Sequence, residues 1–202
     1  YVNNGINMAQ LQKLVDEVGN SEPHPFTVFT LGRICYQKNP AQFNAIALAM
    51  PNIRFLWIGD GELRSTLTAP NITITGWAER KDALKYSASG DVFVLTSLWE
   101  GLPISLLEAM YMKKVCIVSN IIGNRDVIHT GVNGFVCNNT EEYVKAIQSA
   151  KTENVNHLVE AAYQEIVDTY NTKNMANEYS KIYLSKMGGG TKQCNSCTSS
   201  RR

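Results

Sequence analysis

The apolar residues of the chain fall into short runs that alternate with longer amphipathic stretches. Runs that are apolar along their whole length are typical of strands buried on both faces. Six runs have this character: 26–33, 53–59, 71–76, 91–97, 114–120 and 134–138. Helix-like stretches follow them at 39–50, 62–67, 79–89, from Pro103 onward, at 125–130 and at 141–150. Asn39 is predicted to cap the first of these helices, with Pro40 at its first helical position.

This alternation predicts an α/β fold with a doubly wound, Rossmann-like parallel sheet and right-handed crossovers. Ligands bind such sheets at the carboxyl ends of the strands, so the candidate site lies in the loops after residues 33, 59, 76 and 96. We expect a lead-in segment with a helix at 1–24 and the Rossmann-like domain at 25–151. Two helices are expected within 152–187, and a disordered Gly/Ser-rich tail at 188–202.

Composition and charge narrow the function classes. The formal net charge of +1 over 202 residues leaves no basic surface that would indicate nucleic acid as a partner. No apolar run approaches the ~18 residues that a membrane span needs, and the first residues do not form a signal peptide. We therefore expect a cytoplasmic protein in a reducing compartment, with the Cys194/Cys197 pair of the tail incidental. Because the chain lacks an initiator Met, we also expect it to be a piece of a longer protein.

The loop after the first predicted strand carries two cations. In "GRICYQKNP", Gly32 allows a ligand to approach the backbone, and Arg33 and Lys38 flank the loop before the next helix. An Arg fork and a Lys point charge at this edge of a sheet suit a diphosphate. The alternative is that both are solvated surface cations.

The stretch "SLWEGLPISLLEAM" places two acids around a predicted helix start. The turn at Gly101–Leu102 and the helix beginning near Pro103 expose backbone N–H groups, which form an anion site with the helix dipole. Glu100 and Glu108 repel phosphate but accept hydrogen bonds from hydroxyls. They would therefore bracket a diphosphate and face a hydroxyl-bearing ring on either side, as in a nucleotide-sugar. The alternative is one favourable acid near a helix start and one solvated Glu.

The remaining signals for cofactors and metals are weak. "GDGE" at 59–62 is not a dinucleotide fingerprint, because G-x-G-x-x-G fails at Arg64. The sequence has no D-x-D pair that would hold a metal-bound diphosphate, and its three histidines lack metal spacing. We expect neither a cofactor nor a metal.

The order of the motifs "GR…K", "GDGE", "ITGW", "SLWEGLPISLLEA" and "GVNGF" on successive βα units resembles the nucleotide-sugar half of the GT-B glycosyltransferases. The resemblance is to the large retaining group with the E-x7-E motif, glycosyltransferase family four or "glycosyl transferases group 1", and it covers about residues 2–147. It implies one half of a GT-B fold. It also implies transfer of a sugar from a UDP-, GDP- or other nucleoside-diphosphate sugar to an acceptor hydroxyl, without a metal.

The same resemblance assigns roles to individual residues. Arg33 and Lys38 would hold the donor diphosphate and act in catalysis together with Glu100, which would face the sugar hydroxyls, while Glu108 would face the ribose. Further donor-binding positions match the family's turns: Gly32, Gly76, Trp77, Gly101, Leu102, Pro103 and Ile104. Trp77 would lie near the nucleobase. A place for Trp77 in the core is the alternative.

The resemblance also implies a partner domain. "VNNGIN" is similar to the family's stretch after the interdomain hinge, although Asn7 stands where Asp is usual. An N-terminal acceptor-binding domain would precede it and would account for peripheral association with the inner face of the cytoplasmic membrane. Because the family's C-terminal helix often crosses back to that domain, part of an apolar stripe on residues 172–186 (Met175, Tyr179, Ile182 and Tyr183) is expected to be exposed. A sugar-nucleotide epimerase half and a non-catalytic nucleotide-binding module remain alternatives.

Overall fold

A parallel sheet of six strands organises the computed structural model, which describes residues 2–18 and 24–187. In chain order the strands are β1 (Thr27–Leu31), β2 (Arg54–Ile58), β3 (Ile72–Ile74), β4 (Val92–Leu95), β5 (Val115–Ser119) and β6 (Phe135–Cys137). Their order across the sheet is β3-β2-β1-β4-β5-β6, with every neighbouring pair parallel. The order reverses between β1 and β4, so the loops after these two strands flank the switch point. The predicted fold class is confirmed.

Helices cover both faces of the sheet. They are α1 (Met8–Val18), α2 (Pro40–Ala49), α3 (Arg80–Ala88), α4 (Ile104–Tyr111), α5 (Thr140–Thr152), α6 (Asn156–Asp168) and α7 (Thr172–Met187). Leu11 of α1, Leu84 of α3, Leu107 of α4 and Ile166 of α6 belong to one buried cluster. Side chains of α2 and α5 belong to the second cluster, on the other face. Two apolar layers around one sheet explain why the strands are apolar along their whole length.

The predicted cap of α2 is confirmed. The Asn39 side chain accepts a hydrogen bond from the backbone N–H of Gln42 at 3.3 Å, and Pro40 is the first helical residue. Pro103 stands one position earlier in its helix than predicted. It is the N-cap of α4, with extended backbone (ψ 118°), and its carbonyl accepts from Leu106 and Leu107.

Two predicted helices are wrong, and asparagine side chains explain both differences. Residues 62–67 keep only a 3₁₀ turn at Arg64–Thr66, and the Asn44 side chain takes the next free amides, those of Thr68 and Ala69. Residues 125–127 form turns, and no residue of 125–130 is helical. There the Asn133 side chain accepts from the His129 N–H and donates to the Val127 carbonyl, so these groups leave the helical pattern.

The first described residues are joined to the start of α7. The Ile6 N–H donates to the Tyr170 carbonyl at 2.9 Å, and the Ile6 carbonyl accepts from Thr172 at 3.1 Å. Along α7, Tyr179, Ile182 and Tyr183 are exposed, which confirms the expected exposure of part of the stripe. The helices of the described residues include none that is both long and apolar enough to cross a membrane. The predicted disordered tail and the Cys194/Cys197 pair lie outside the described residues.

Candidate functional site

A cleft of about 520 Å³ opens at the carboxyl edge of the sheet. Gly32 and Arg33 line it from the loop after β1, Gly59 and Asp60 from the loop after β2, and Trp77 from the loop after β3. These are loops in which the sequence predicts the site. The structure therefore brings Gly32, Arg33 and Trp77 together around one cavity.

Gly32 and Gly59 meet in the lining of the cleft and form its glycine floor. The Gly32 N–H donates to the Ile58 carbonyl at 3.0 Å, and the Gly32 carbonyl accepts from the Trp57 indole N–H at 2.8 Å. A Cβ at Gly59, whose φ is +138°, would lie 2.2 Å from the Gly32 carbonyl oxygen. Only glycine permits this approach of the two strand ends, so no side chain stands between this part of the lining and a ligand.

Trp77 stands at the rim of the cleft. Its side chain is 78% exposed and lines the cavity, so the alternative place in the core is wrong. Gly76 precedes it with a φ of +77°, and this turn directs the chain from β3 toward α3. An exposed indole beside a cavity offers a flat apolar surface on which an aromatic ligand can stack.

Arg33 reaches outward from the cleft wall. Its side chain is 73% exposed, and its Nη2 lies 3.1 Å from Oε2 of Glu62, which is also exposed. Exposed ion pairs of this kind contribute only ~0–1 kcal/mol. A bound anion could therefore recruit Arg33 at little cost.

Lys38 has a different environment, because it is joined to Glu100. Lys38 Nζ lies 2.6 Å from Glu100 Oε1, and the two side chains are 17% and 9% exposed. The Ser97 hydroxyl donates to the same oxygen at 2.7 Å. Because Lys38 follows β1 and Glu100 follows β4, this pair joins the loops on the two sides of the switch point. The alternative of two solvated cations holds for Arg33 and is wrong for Lys38.

Lys38 also runs along the edge of the cleft. A Cβ built at Gly32 would lie 3.3 Å from Lys38 Cε. The ammonium group is therefore near the cavity wall while it is bound to Glu100. A ligand in contact with Gly32 would therefore also lie close to the Lys38 side chain.

The turn before α4 presents backbone donors beside this ion pair. Within 2–18 and 24–187, no residue accepts a hydrogen bond from the N–H groups of Gly101, Leu102 or Ile104. The last of these begins α4, where the helix dipole is positive. Unpaired donors at a helix start are what the anion site at residues 101–104 requires, and that site stays a prediction.

Gly123, in the loop after β5, supports that turn and was not predicted as a site residue. Its φ is +91°, and a Cβ there would lie 2.1 Å from the Gly101 carbonyl oxygen and 2.6 Å from that of Glu100. The turn is thus packed against backbone on its far side. The only sequence signal is a glycine shortly after an apolar strand.

Glu108 lies apart from Glu100 and faces the start of α3. Its side chain is 3% exposed, and its Oε1 accepts a hydrogen bond from Arg80 Nη2 at 2.6 Å. Burial raises the pKa of the Glu108 carboxyl, and the hydrogen bond and charge of Arg80 oppose that rise. The alternative of a solvated Glu108 is therefore wrong. Arg80 is a residue that the sequence reasoning missed.

The comparisons with known proteins bear on this geometry. A family model described as "Glycosyl transferases group 1" matches residues 25–153. The chain is 31% identical over 176 residues to the Escherichia coli UDP-Gal:alpha-D-GlcNAc-diphosphoundecaprenol alpha-1,3-galactosyltransferase. That match covers 78% of this chain and 45% of the E. coli protein. The chain thus spans less than half the length of this relative.

Solved structures share the fold. Anabaena Alr3699/HepE, crystallised with UDP and glucose, superposes with a TM-score of 0.74 over 91% of this chain and 56% of its own, at 17% sequence identity. The C-terminal domain of a group 1 glycosyl transferase (LpcC) from Francisella tularensis gives 0.66 over 83% of this chain and 99% of its own, also at 17% identity. The Francisella structure is a single C-terminal domain, and the match covers nearly all of it.

Proposed function

The chain belongs to the glycosyl transferases group 1 family, and from that membership we propose that it is the donor-binding half of a retaining glycosyltransferase. The whole enzyme would transfer a sugar from a nucleoside diphosphate to an acceptor hydroxyl. The observation that carries the proposal is the Lys38–Glu100 pair between the cleft and the start of α4. It places a cation, an acid and free backbone donors at one edge of the sheet.

The diphosphate would lie against Lys38, Arg33 and the N–H groups of residues 101–104. Two cations and a helix start match the charge of a diphosphate and require no metal. The same groups would stabilise the negative charge that builds on the leaving diphosphate as the glycosidic bond breaks. Electrostatic stabilisation of this kind is usually the largest contribution to catalysis.

Binding would also rearrange the Lys38–Glu100 pair. In the free protein Lys38 occupies one oxygen of the Glu100 carboxylate. A diphosphate that draws Lys38 toward itself would leave this oxygen with Ser97 as its remaining donor and with capacity to accept from a sugar hydroxyl. The sugar would therefore find a better acceptor when the diphosphate is in place, which favours the intact donor over a free sugar.

The nucleoside would occupy the other end of the cleft. Glu108 would accept hydrogen bonds from the ribose hydroxyls, and the base would stack on the exposed Trp77 ring. The E. coli relative is named for UDP-Gal and the Anabaena structure holds UDP, so we propose a UDP-sugar as the donor, with GDP-sugars as the first alternative to test.

The acceptor site would belong to a domain outside this chain. The E. coli relative is named for a diphosphoundecaprenol-linked acceptor. By analogy we propose a lipid-linked saccharide, reached at the inner face of the cytoplasmic membrane through the N-terminal domain. Product analysis of the full-length enzyme, with the anomer assigned by NMR, tests transfer and retention against the epimerase alternative.

The donor proposal is tested on this chain by calorimetric titration with UDP, GDP, ADP and their glucose or galactose conjugates, all in EDTA. We expect one nucleotide to bind best, its sugar conjugate to bind more tightly than the plain diphosphate, and added Mg²⁺ or Mn²⁺ to change neither affinity. Equal affinity for the plain nucleotide and the conjugate would favour a nucleotide-binding module. Binding that appears only with a metal would contradict the metal-free site.

A further inference from the structure

Arg80 is a cation at an unfavourable place in its helix. It is the first residue of α3, where the helix dipole disfavours positive charge. Its side chain is 55% exposed, yet its Nη2 lies 2.6 Å from Oε1 of the buried Glu108. Ala78, two residues earlier, lines the cleft. The Arg80 side chain thus reaches from solvent to a buried acid, just after a segment that lines the cleft.

The buried acid depends on this single partner. In the described part of the chain, Arg80 is the only charged side chain that acts on the Glu108 carboxyl from any element packed against α4. Burial favours the neutral acid, and only the hydrogen bond and charge of Arg80 favour the carboxylate. Without Arg80, nothing among the described residues would offset the desolvation of Glu108.

The hydrogen bond from Arg80 uses one of the two oxygens of the Glu108 carboxylate. A carboxylate accepts up to about four hydrogen bonds, and the one that described residues donate to Glu108 goes to Oε1. Oε2 keeps its capacity for a hydroxyl donor. A protonated Glu108 would lose part of that capacity, because its proton would itself need an acceptor.

We propose that Arg80 is a positioning residue for donor binding: through its hydrogen bond it holds the Glu108 carboxylate oriented so that the ribose hydroxyls of the nucleotide find an acceptor. This inference rests on the donor site proposed above and adds a residue to it. Arg80 acts through Glu108 and need not touch the nucleotide.

The first test compares Arg80→Gln with the wild-type chain, using the nucleoside diphosphate that binds best in the panel above. We expect Arg80→Gln to weaken binding about tenfold near pH 8, and by a larger factor near pH 6, because loss of the guanidinium makes Glu108 easier to protonate. Arg80→Lys keeps the charge and should restore part of the affinity. Lys81→Gln is the matched control: it removes the neighbouring cation, which pairs with Glu17, and should bind as wild type does.

A double-mutant cycle shows whether Arg80 acts through Glu108. Glu108→Gln removes the charged acceptor, and we expect Arg80→Gln to cause no further loss in that background. A loss that persists there would mean that Arg80 contacts the nucleotide directly, and it would overturn the proposal. So would wild-type or tighter binding by Arg80→Gln, or a wild-type pH profile.

Two further controls keep the outcomes distinct. Thermal unfolding of each variant shows whether it folds. If Arg80→Gln does not fold, Arg80→Lys replaces it in the double-mutant cycle with Glu108→Gln. We then expect a smaller loss of affinity from Arg80→Lys alone, and again no further loss in the Glu108→Gln background. If the wild-type chain binds no nucleoside diphosphate, the donor site itself fails, and this inference fails with it. Normal wild-type binding with an unaffected Arg80→Gln variant refutes the positioning role alone.

Discussion

In a rigid site, Lys38 could not serve both Glu100 and a bound diphosphate. Its ammonium group binds the Glu100 carboxylate in the free protein, and the proposed diphosphate would need the same cation. Both side chains are largely buried, so removing one leaves the other without its opposite charge in a poorly solvated place. Arg33, which is 73% exposed and paired at the surface, carries no such penalty.

This contrast predicts unequal effects of the two cations. Lys38→Ala should weaken nucleoside-diphosphate binding about ten- to hundredfold, since hydrogen bonds to charged groups contribute about 1.5–3 kcal/mol. Arg33→Ala should cause a smaller loss and leave the melting temperature unchanged. Titration calorimetry and thermal unfolding measure both effects. Lys85→Ala is the control, because Lys85 pairs with Asp82 on the exposed side of α3. Wild-type affinity in both variants would remove these cations from the site.

The two glutamates should separate by ligand. Glu108→Gln should weaken plain nucleotide and nucleotide-sugar by the same factor, because both carry the ribose. Glu100→Gln should remove the additional affinity of the nucleotide-sugar and leave the plain diphosphate bound as well or better, since Lys38 is then free. Parallel titrations with both ligands measure this. Identical behaviour of the two variants would contradict the proposed division of roles.

At the scale of elements, the loop after β5 holds the turn before α4 through Gly123. Gly123→Ala combines an unfavourable positive φ with a Cβ 2.1 Å from the Gly101 carbonyl oxygen. Gly131→Ala is its control: its φ of +78° is also positive, but nothing lies within 4 Å of the added carbon. We expect Gly131→Ala to lose about 1–2 kcal/mol of unfolding free energy, from strain alone. Gly123→Ala should lose more, and donor affinity as well. Equal stability and binding in the two variants would show that the turn does not depend on this contact.

The sequence predicts the sheet and the edge that carries the candidate site, because the apolar runs and the order of the elements can be identified from the chain alone. It places Arg33, Lys38, Trp77 and Glu100 in the loops that meet there. It does not predict the Arg80–Glu108 hydrogen bond, since that contact depends on how α3 and α4 are oriented relative to each other. The helix predictions for residues 62–67 and 125–130 are wrong for a similar reason. The side chains of Asn44 and Asn133, which bind backbone groups in these regions, lie elsewhere in the chain or beyond the end of the predicted helix.

For the whole molecule, we expect binding without turnover. Holding two substrates in one closed cleft can lower a barrier by ~7–11 kcal/mol, and this chain supplies the donor side only. The purified chain should bind the donor in the micromolar to millimolar range and transfer no sugar to an added acceptor. Product detection with a radiolabelled donor measures this.

A separately produced N-terminal half provides the matching positive experiment. The exposed side chains of Tyr179, Ile182 and Tyr183 on α7 offer it an apolar contact, so mixing the halves should restore some transfer. Ile182→Ser should reduce that restored activity without changing donor affinity in the isolated chain. Efficient transfer by the 202-residue chain alone would overturn the view that it supplies only one half of the enzyme.

The glycine floor of the cleft has a consequence for inhibitors. Peptide groups at Gly32 and Gly59 cannot be altered by exchanging a side chain, and a Cβ at Gly59 would collide with the Gly32 carbonyl oxygen. Resistance mutations at these two glycines would therefore rarely protect the enzyme from a compound packed against them. Discrimination between related enzymes would have to come from rim positions such as Trp77 and Arg33, where substitution is structurally inexpensive.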